Sequence, residues 1–394
     1  MTGCTSDDNP NQKDVESNNE PLKIEISAIE KESIKTSNEF ACDIWDVLSK
    51  DHNENFIFSP FSFQIALSMA ANGGDINAQE KITNLLSPLK ENADISLLNN
   101  LSEILLHTLP KVDNAVNIAI ANSIWCNEIY DYNNSYELIV KDIFNASFHK
   151  YIPFTKDAMN SINQWCENST YGKIENLYTT PPSEDAIIIN TTYFDGKWKS
   201  PFNPNENKFV EFTSASGITK NVKMMRSSEE LTARANDEMT NVSIPYGNAS
   251  DDSGFCMNLY IPTEGNDLEA LMSKYISDKS DIEWTRNHQA WLTLPIFEIF
   301  SHFDVSNALN NLGLSDILEQ NLPYILQDAP FNISNIRQMT KIEVNEEGST
   351  AAAATVISSV IGIPLDVTVN RPFFFTIREN STGVILFIGK VVEL

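Results

Sequence analysis

Residues able to do chemistry are plentiful in this sequence, but few stand at a spacing that makes a catalytic or metal site. The five histidines (His52, His107, His149, His288, His302) are isolated from one another and from any cysteine or carboxylate at ligand spacing. No GxSxG, HExxH or GxGxxG occurs. Gly383 to Gly389-Lys390 imitates a phosphate-binding loop. Five residues separate its glycines instead of four, no hydroxyl residue follows the lysine, and Val384-Ile-Leu-Phe-Ile388 between them reads as a strand. The histidines therefore read as structural residues, and no metal or cofactor is expected. The unusual chemistry lies in Glu346-Glu347-Gly348-Ser349-Thr350-Ala351-Ala352-Ala353-Ala354-Thr355. Seven consecutive small residues follow the glycine, then Val-Ile-Ser-Ser-Val-Ile-Gly-Ile continues without a charge. Alanine favours helix, whereas the flanking Ser, Thr, Val and Ile favour strand. A segment suited both to an exposed loop and to a strand is what a conformational switch requires.

The elements that position this segment are mixed in type. Phe40, Ile44 and Leu48 recur at helical spacing, and Phe63-Gln-Ile-Ala-Leu-Ser-Met-Ala-Ala71 is helix-like and apolar on most sides, which predicts a buried helix. Ala186-Ile-Ile-Ile-Asn190 reads as a central strand covered on both faces. Phe373, Phe375 and Ile377 fall at alternate positions, and a turn at Glu379-Asn-Ser-Thr-Gly383 leads into Val384–Ile388, which predicts a hairpin. Helices come first and strands concentrate later, an α+β pattern.

Composition narrows the function further. With 27 Lys and Arg against 54 Asp and Glu, the net charge is −27, so nucleic acid and heparin are not expected partners. The longest apolar runs are strand-length and too short to span a bilayer as a helix. Residues 1–22 are rich in Asn, Asp, Glu and Ser and read as a disordered tether, followed by one domain over 23–394. Cys42, Cys126, Cys166 and Cys256 read as small buried hydrophobes. Cys4 differs. Thr2-Gly3-Cys4 followed by Thr-Ser-Asp-Asp resembles the cleavage end of a bacterial lipoprotein signal peptide, which implies lipid attachment at Cys4 and an extracytoplasmic location, secreted or lipid-anchored at the cell surface. Several Asn-x-Ser/Thr triplets occur, but the one at Asn190 falls inside the apolar strand, where no glycan fits.

Longer stretches carry a specific resemblance. Glu346–Thr355 looks like the hinge of an inhibitory serpin's reactive loop, and Asn370-Arg371-Pro372-Phe373 looks like the segment after that loop. Asn55-Phe-Ile-Phe-Ser-Pro-Phe-Ser62, Ala121-Asn-Ser-Ile-Trp125, Gly172-Lys-Ile174, Asn190-Thr-Thr-Tyr-Phe-Asp-Gly-Lys-Trp-Lys-Ser-Pro-Phe202, Val222-Lys-Met-Met225, Leu312-Gly-Leu314 and Phe387-Ile-Gly-Lys390 are similar to further serpin signatures, in the family's order, over roughly residues 30–394.

The resemblance implies a serpin-like α+β domain with a large central sheet, further sheets, surrounding helices and an exposed reactive loop at about 345–370. It implies a monomeric protease inhibitor and not an enzyme. The target cleaves the loop and is acylated, and the freed loop then enters the main sheet. Glu347, Gly348, Ser349, Thr350, Ala351, Ala352, Ala353, Ala354 and Thr355 form the hinge, with Ser349, Ala351, Ala353 and Thr355 on one face, small enough to pass beneath a covering helix. Trp198 matches the point where the sheet first opens, and Ser59, Asn190 and Gln338 match the region where strands part. Gln338 stands where many relatives carry histidine; it still hydrogen-bonds but does not titrate. Ile296 replaces a lysine that pairs with the hinge glutamate in some relatives, so Glu346 is expected to lack that partner. Thr350 replaces a common glutamate. Counting from Gly348 puts Gly362 before the scissile bond, and counting back from Pro372 puts Ile361 there, so cleavage falls within Ile361-Gly362-Ile363. Ile361 is preferred because glycine gives a specificity pocket nothing to bury. Between Lys341 and Arg371 there is no Lys or Arg, and between Glu343 and Pro372 no aromatic residue. Elastase-like serine proteases are the expected targets, with subtilisin-like or papain-like enzymes second. A non-inhibitory serpin, acting as carrier or chaperone, is the alternative.

Overall fold

The computed structural model describes residues 21–89, 94–184, 186–250, 252–276, 283–315, 322–327, 336–347 and 364–394. The chain opens with α1 (Ala28–Asp51), β1 (Phe56–Phe58), α2 (Pro60–Gly73), α3 (Ile76–Leu86) and α4 (Ile95–Thr108). There follow β2 (Val116–Asn127), α5 (Asn134–Phe144), β3 (Ala146–Tyr151), α6 (Lys156–Ser169) and β4 (Ala186–Gly196). A run of strands comes next: β5 (Lys208–Thr213), β6 (Thr219–Arg226), β7 (Leu231–Ala235), β8 (Met239–Pro245) and β9 (Phe255–Pro262). The last part holds α7 (Leu268–Ile276), β10 (Arg286–Pro295), β11 (Phe297–Asp304), α8 (Ser306–Asn311), β12 (Ile336–Val344), β13 (Leu365–Thr368), β14 (Phe373–Glu379) and β15 (Ile385–Val391). This is the α+β architecture expected from the sequence.

Local chemistry explains several boundaries. Ser27 and Glu30 close a reciprocal capping box at the start of α1, and Ser59 caps α2 just before Pro60. α2 is buried along almost its whole length, as its apolar sequence demands. β14 and β15 form the expected antiparallel hairpin, with both faces buried. Gly383 makes the turn at φ +78°, and a Cβ on Gly389 would lie 2.3 Å from the Phe375 ring. Lys390 is buried, donating to Ser49 O at 2.8 Å and to Glu269 at 2.6 Å, so the glycine–lysine stretch is strand core. The four cysteines expected inside are buried.

Among the described residues the strands form two sheets. The larger has ten strands in the order β1-β15-β14-β9-β8-β7-β10-β6-β5, with β13 added on β10. The smaller has five, in the order β11-β12-β4-β2-β3. One face of the five-stranded sheet packs on α2 and the main core, to which Ile124, Ile188, Ile336 and Ile342 belong. Its other face meets α6 through a smaller separate cluster that includes Trp125, Ile162, Cys166, Ile187, Ile189 and Met339. β4 is therefore covered on both sides, as its continuous apolar run predicts.

Candidate functional site

The middle of the five-stranded sheet is a seam. β12 and β4 pair in parallel from Ile336↔Ile188 to Lys341↔Tyr193, while their outer neighbours β11 and β2 pair with them antiparallel. The pairing of β12 with β4 stops at Lys341, although β12 continues to Val344 and β4 to Gly196. Two strand ends thus run on side by side without a ladder between them, at the point where β12 leads toward the alanine-rich segment. The buried hydroxyls of Thr191 and Thr340, one on each seam strand, find no hydrogen-bond partner among the described residues. Each such group costs about 1–3 kcal/mol relative to a paired one.

A buried polar network ties the seam to α2. Ser59 N donates to Gln338 Oε1 and Gln338 Nε2 donates to Ser59 O, both at 2.8 Å. The amide side chain therefore pairs with the Ser59 backbone as a neighbouring strand would. Ser62 Oγ and Thr192 Oγ1 lie 2.7 Å apart, Thr192 Oγ1 donates to Asn190 Oδ1 at 3.3 Å, and Asn190 Nδ2 donates to Asn122 Oδ1 at 2.6 Å. Asn122 Nδ2 then donates to Phe144 O at 2.9 Å. Ser59, Asn190 and Gln338, singled out in the sequence, are brought together here, and Gln338 and Asn190 are register partners across the seam. Asn190 is 2% exposed, which rules out a glycan.

At the open mouth, Trp198 is buried, stacks on Tyr246 at 4.3 Å and donates from Nε1 to Asn345 O at 2.8 Å. Phe202 N donates to Glu346 O at 3.1 Å. Glu347 is exposed, its N–H bonded to Asn345 Oδ1 at 3.0 Å. Position 296 is isoleucine and supplies Glu346 with no cation, but a different lysine does. Lys223 Nζ lies 2.8 Å from Glu346 Oε1, and Asn207 Nδ2 bonds the same oxygen. Lys223 O accepts from Ile296 N at 3.2 Å, so β6 delivers a lysine close to the position where β11 begins. Burial pushes the Glu346 carboxyl up, but the Lys223, backbone and Asn207 hydrogen bonds outweigh it and hold it below its usual range. Nothing in one sequence pairs Lys223 with Glu346, which lie 123 residues apart. Ser62, Asn122 and Thr192 lie inside the quoted motifs, but their roles needed the register.

The chain beyond the seam is anchored on the other sheet. β13 pairs in parallel with β10, Arg226 NH1 lies 3.0 Å from Asp366, and Arg371 Nε donates to Pro262 O at 2.8 Å. Hinge residues Gly348 to Thr355, the reactive positions Ile361, Gly362 and Ile363, and Cys4 lie outside the described residues.

Known proteins share both sequence and shape with this chain. The family model described as serpin (serine protease inhibitor) matches residues 35–394. Serpin-ZX of Arabidopsis thaliana is 28% identical over 92% of this chain and 98% of its own length. A serine protease inhibitor of Cyanea capillata is 30% identical over 86% and 92%. Among solved structures, Arabidopsis AtSerpin1 in its native stressed conformation superposes with a TM-score of 0.82 at 26% identity, covering 93% of this chain and 99% of that one. Tengpin, a thermophilic serpin in the native state, superposes with a TM-score of 0.78 at 25% identity, covering 95% and 97%. With the seam, its network and a family match over nearly the whole length, the chain belongs to the serpin family of protease inhibitors.

Proposed function

We propose that this protein traps elastase-like serine proteases, and some cysteine proteases, by inserting its cleaved loop into the β4–β12 seam. The serine hydroxyl of the target adds to the Ile361 carbonyl carbon. The C–N bond to Gly362 breaks, the proton ends on the Gly362 amine, and Ile361 remains as an ester on the protease. The freed segment, running back from the end of β12, is antiparallel to both β12 and β4. One parallel pairing is thereby exchanged for two antiparallel ones, which are slightly more stable per residue. About a dozen new ladder bonds at ~1 kcal/mol each give on the order of 10 kcal/mol. Small side chains at Ser349, Ala351, Ala353 and Thr355 let the strand pass beneath α6 without burying a charge.

The observation that carries this reading is the seam itself: a parallel pair inside antiparallel neighbours, unladdered at its mouth. The uncharged stretch before Asp366 supports the target class, since a pocket for basic side chains has nothing to grip. Incubation with elastase, subtilisin, papain and trypsin, followed by denaturing electrophoresis, tests it. A covalent high-mass band with elastase is expected, and the released fragment should begin at Gly362 or, by the alternative count, Ile363. A cleaved chain with no covalent band, or trypsin trapped as readily as elastase, refutes it. The Thr-Gly-Cys junction further supports lipid attachment at Cys4 and an extracytoplasmic site of action. An unmodified Cys4 in membrane-extracted native protein, read by mass spectrometry, excludes the anchor.

A further inference from the structure

Four register partners make a row across the larger sheet. Arg286 on β10 lies opposite Ala235 on β7, Ala235 opposite Thr240 on β8, and Thr240 opposite Ile261 on β9. Directly opposed residues share a face, so the row is one floor. A cavity of about 590 Å³ lies on it, lined by all four residues. Its other wall is β13 with Asn370 and Arg371 just beyond. The volume falls in the range of small-molecule sites, ~300–1,000 Å³. The cations come from opposite ends of the row. Arg286 stands at the β10 end. Arg371 donates from Nε to Pro262 O at 2.8 Å, which fixes it at the β9 end, and from NH1 to Asn370 Oδ1 at 3.2 Å. Those bonds use two of the five N–H groups a guanidinium carries, and neither acceptor is a carboxylate. His288, two residues along β10 from Arg286 and so on the same face, lines the cavity with no hydrogen-bond partner among the described residues.

We propose that this cavity binds a small organic molecule carrying two oxyanion groups, one held by Arg286 and the other by Arg371. Three strand spacings of ~4.8 Å put the backbones at the row's ends ~14 Å apart, a gap that two arginine side chains narrow to the length of a small molecule. A guanidinium fork matches a carboxylate or phosphate group through paired hydrogen bonds. The two carboxylates in the lining compete weakly. Asp366 is held by Arg226, outside the cavity, at 3.0 Å, and Asp237, its side chain 95% exposed, stands 3.6 Å from Arg286. The net charge of −27 repels an anion at long range, so capture depends on these local cations. The bound molecule ties β13 to β9 and β10, adding to the four register pairs from Ala290↔Leu365 to Thr293↔Thr368. The chain directly after the reactive positions is thereby clamped, and this binding does not depend on the trapping reading above.

Titration calorimetry of the full chain with pyrophosphate and, separately, with citrate tests the site and distinguishes a phosphorylated from a polycarboxylate ligand. One of the two is expected to bind, one molecule per chain, with a millimolar or tighter Kd. Amide hydrogen exchange should slow along β13 and at Arg286–His288 on binding, and stay unchanged in α3 and α4. Arg286→Gln is expected to weaken binding about tenfold or more, and Asp237→Asn to tighten it about twofold. Both side chains are largely exposed, at 60% and 95%, so both variants should melt with the wild type when no anion is added. Absence of binding by both anions overturns the proposal. So does binding that Arg286→Gln leaves unchanged, or protection that appears away from β13 and β10. Calcium chloride is titrated in parallel; calcium binding that Asp237→Asn abolishes assigns the cavity to a cation and also overturns it.

Discussion

Replacing Gln338 by methionine tests how the closed seam is held. The side chains are similar in length, so the change removes hydrogen bonding without opening a large cavity. Both amide bonds are 2.8 Å long, and Ser59 and Gln338 are 0% and 1% exposed. The substitution strands the Ser59 N–H where water does not reach, at about 1–3 kcal/mol, while Ser59 O keeps its bond from Phe63 N at 3.1 Å and loses only its second donor. The Ser59 side chain still caps α2, and some relaxation is open to the chain, so the expected loss is about 2 kcal/mol. Urea unfolding measured in parallel on Thr340→Val provides the contrast. That change deletes a buried hydroxyl with no partner among the described residues, and it should be neutral or stabilising. Because an amide does not titrate, the Gln338→Met loss should be equal at pH 5.5 and pH 8. A loss under about 0.5 kcal/mol, or a larger loss for Thr340→Val, refutes the view that this amide clamps the seam to α2.

Three further outcomes follow from the geometry. Lys223→Met should loosen the hinge root by about 1 kcal/mol, a figure kept small because Lys223 is half exposed, and should speed thermal loss of inhibition. Since the folded Glu346 pKa lies below 4.5, its contribution is complete above that pH and fades as pH falls through the folded value; the variant's deficit at pH 7 should shrink toward zero in stronger acid. His149 stacks on Trp125 at 4.1 Å, with Nε2 2.8 Å from Ser147 Oγ, which also accepts from Trp165 Nε1 on α6. Burial lowers the His149 pKa below 6.5, so this docking of α6 is intact above pH 6.5 and weakens as pH falls through the lowered value; hydrogen exchange along α6 should show that loss in the wild type and not in His149→Gln. Thr355→Arg should leave the fold intact and turn the inhibitor into a substrate, seen as cleavage without a covalent band; full stoichiometric inhibition by this variant contradicts the proposed insertion face.

The elements legible in the sequence are those whose burial is complete. α2, β4 and the β14–β15 hairpin carry apolar residues on nearly every side, so composition alone gives type and environment. β5 and β6 gave no such signal, because Lys208–Thr213 and Thr219–Arg226 are mostly exposed and held by pairing with each other. α6 is amphipathic with only Ala158, Ile162 and Cys166 fully buried, a pattern too sparse to mark it as the cover of the seam. At the site, Ser59, Asn190 and Trp198 were legible through their motifs, and Gln338 only through the position it takes in the family resemblance. Asn122, Thr192 and Lys223 act through partners brought close only by strand register, and register is a property of the folded sheet.

The pairing of β1 with β15 sets an order of events during synthesis. Phe56 lies opposite Lys390 and Phe58 opposite Ile388, so one of the first strands made finds its neighbour in one of the last. At roughly 5–20 residues per second, a ribosome needs about 15–70 s to cover the intervening ~330 residues. Over that interval the nascent chain holds an uncompleted sheet edge at β1. Contacts this distant are slow to close, and they leave strand edges open to aggregation. Successful maturation thus depends on what shields the growing chain until Val391 has left the ribosome.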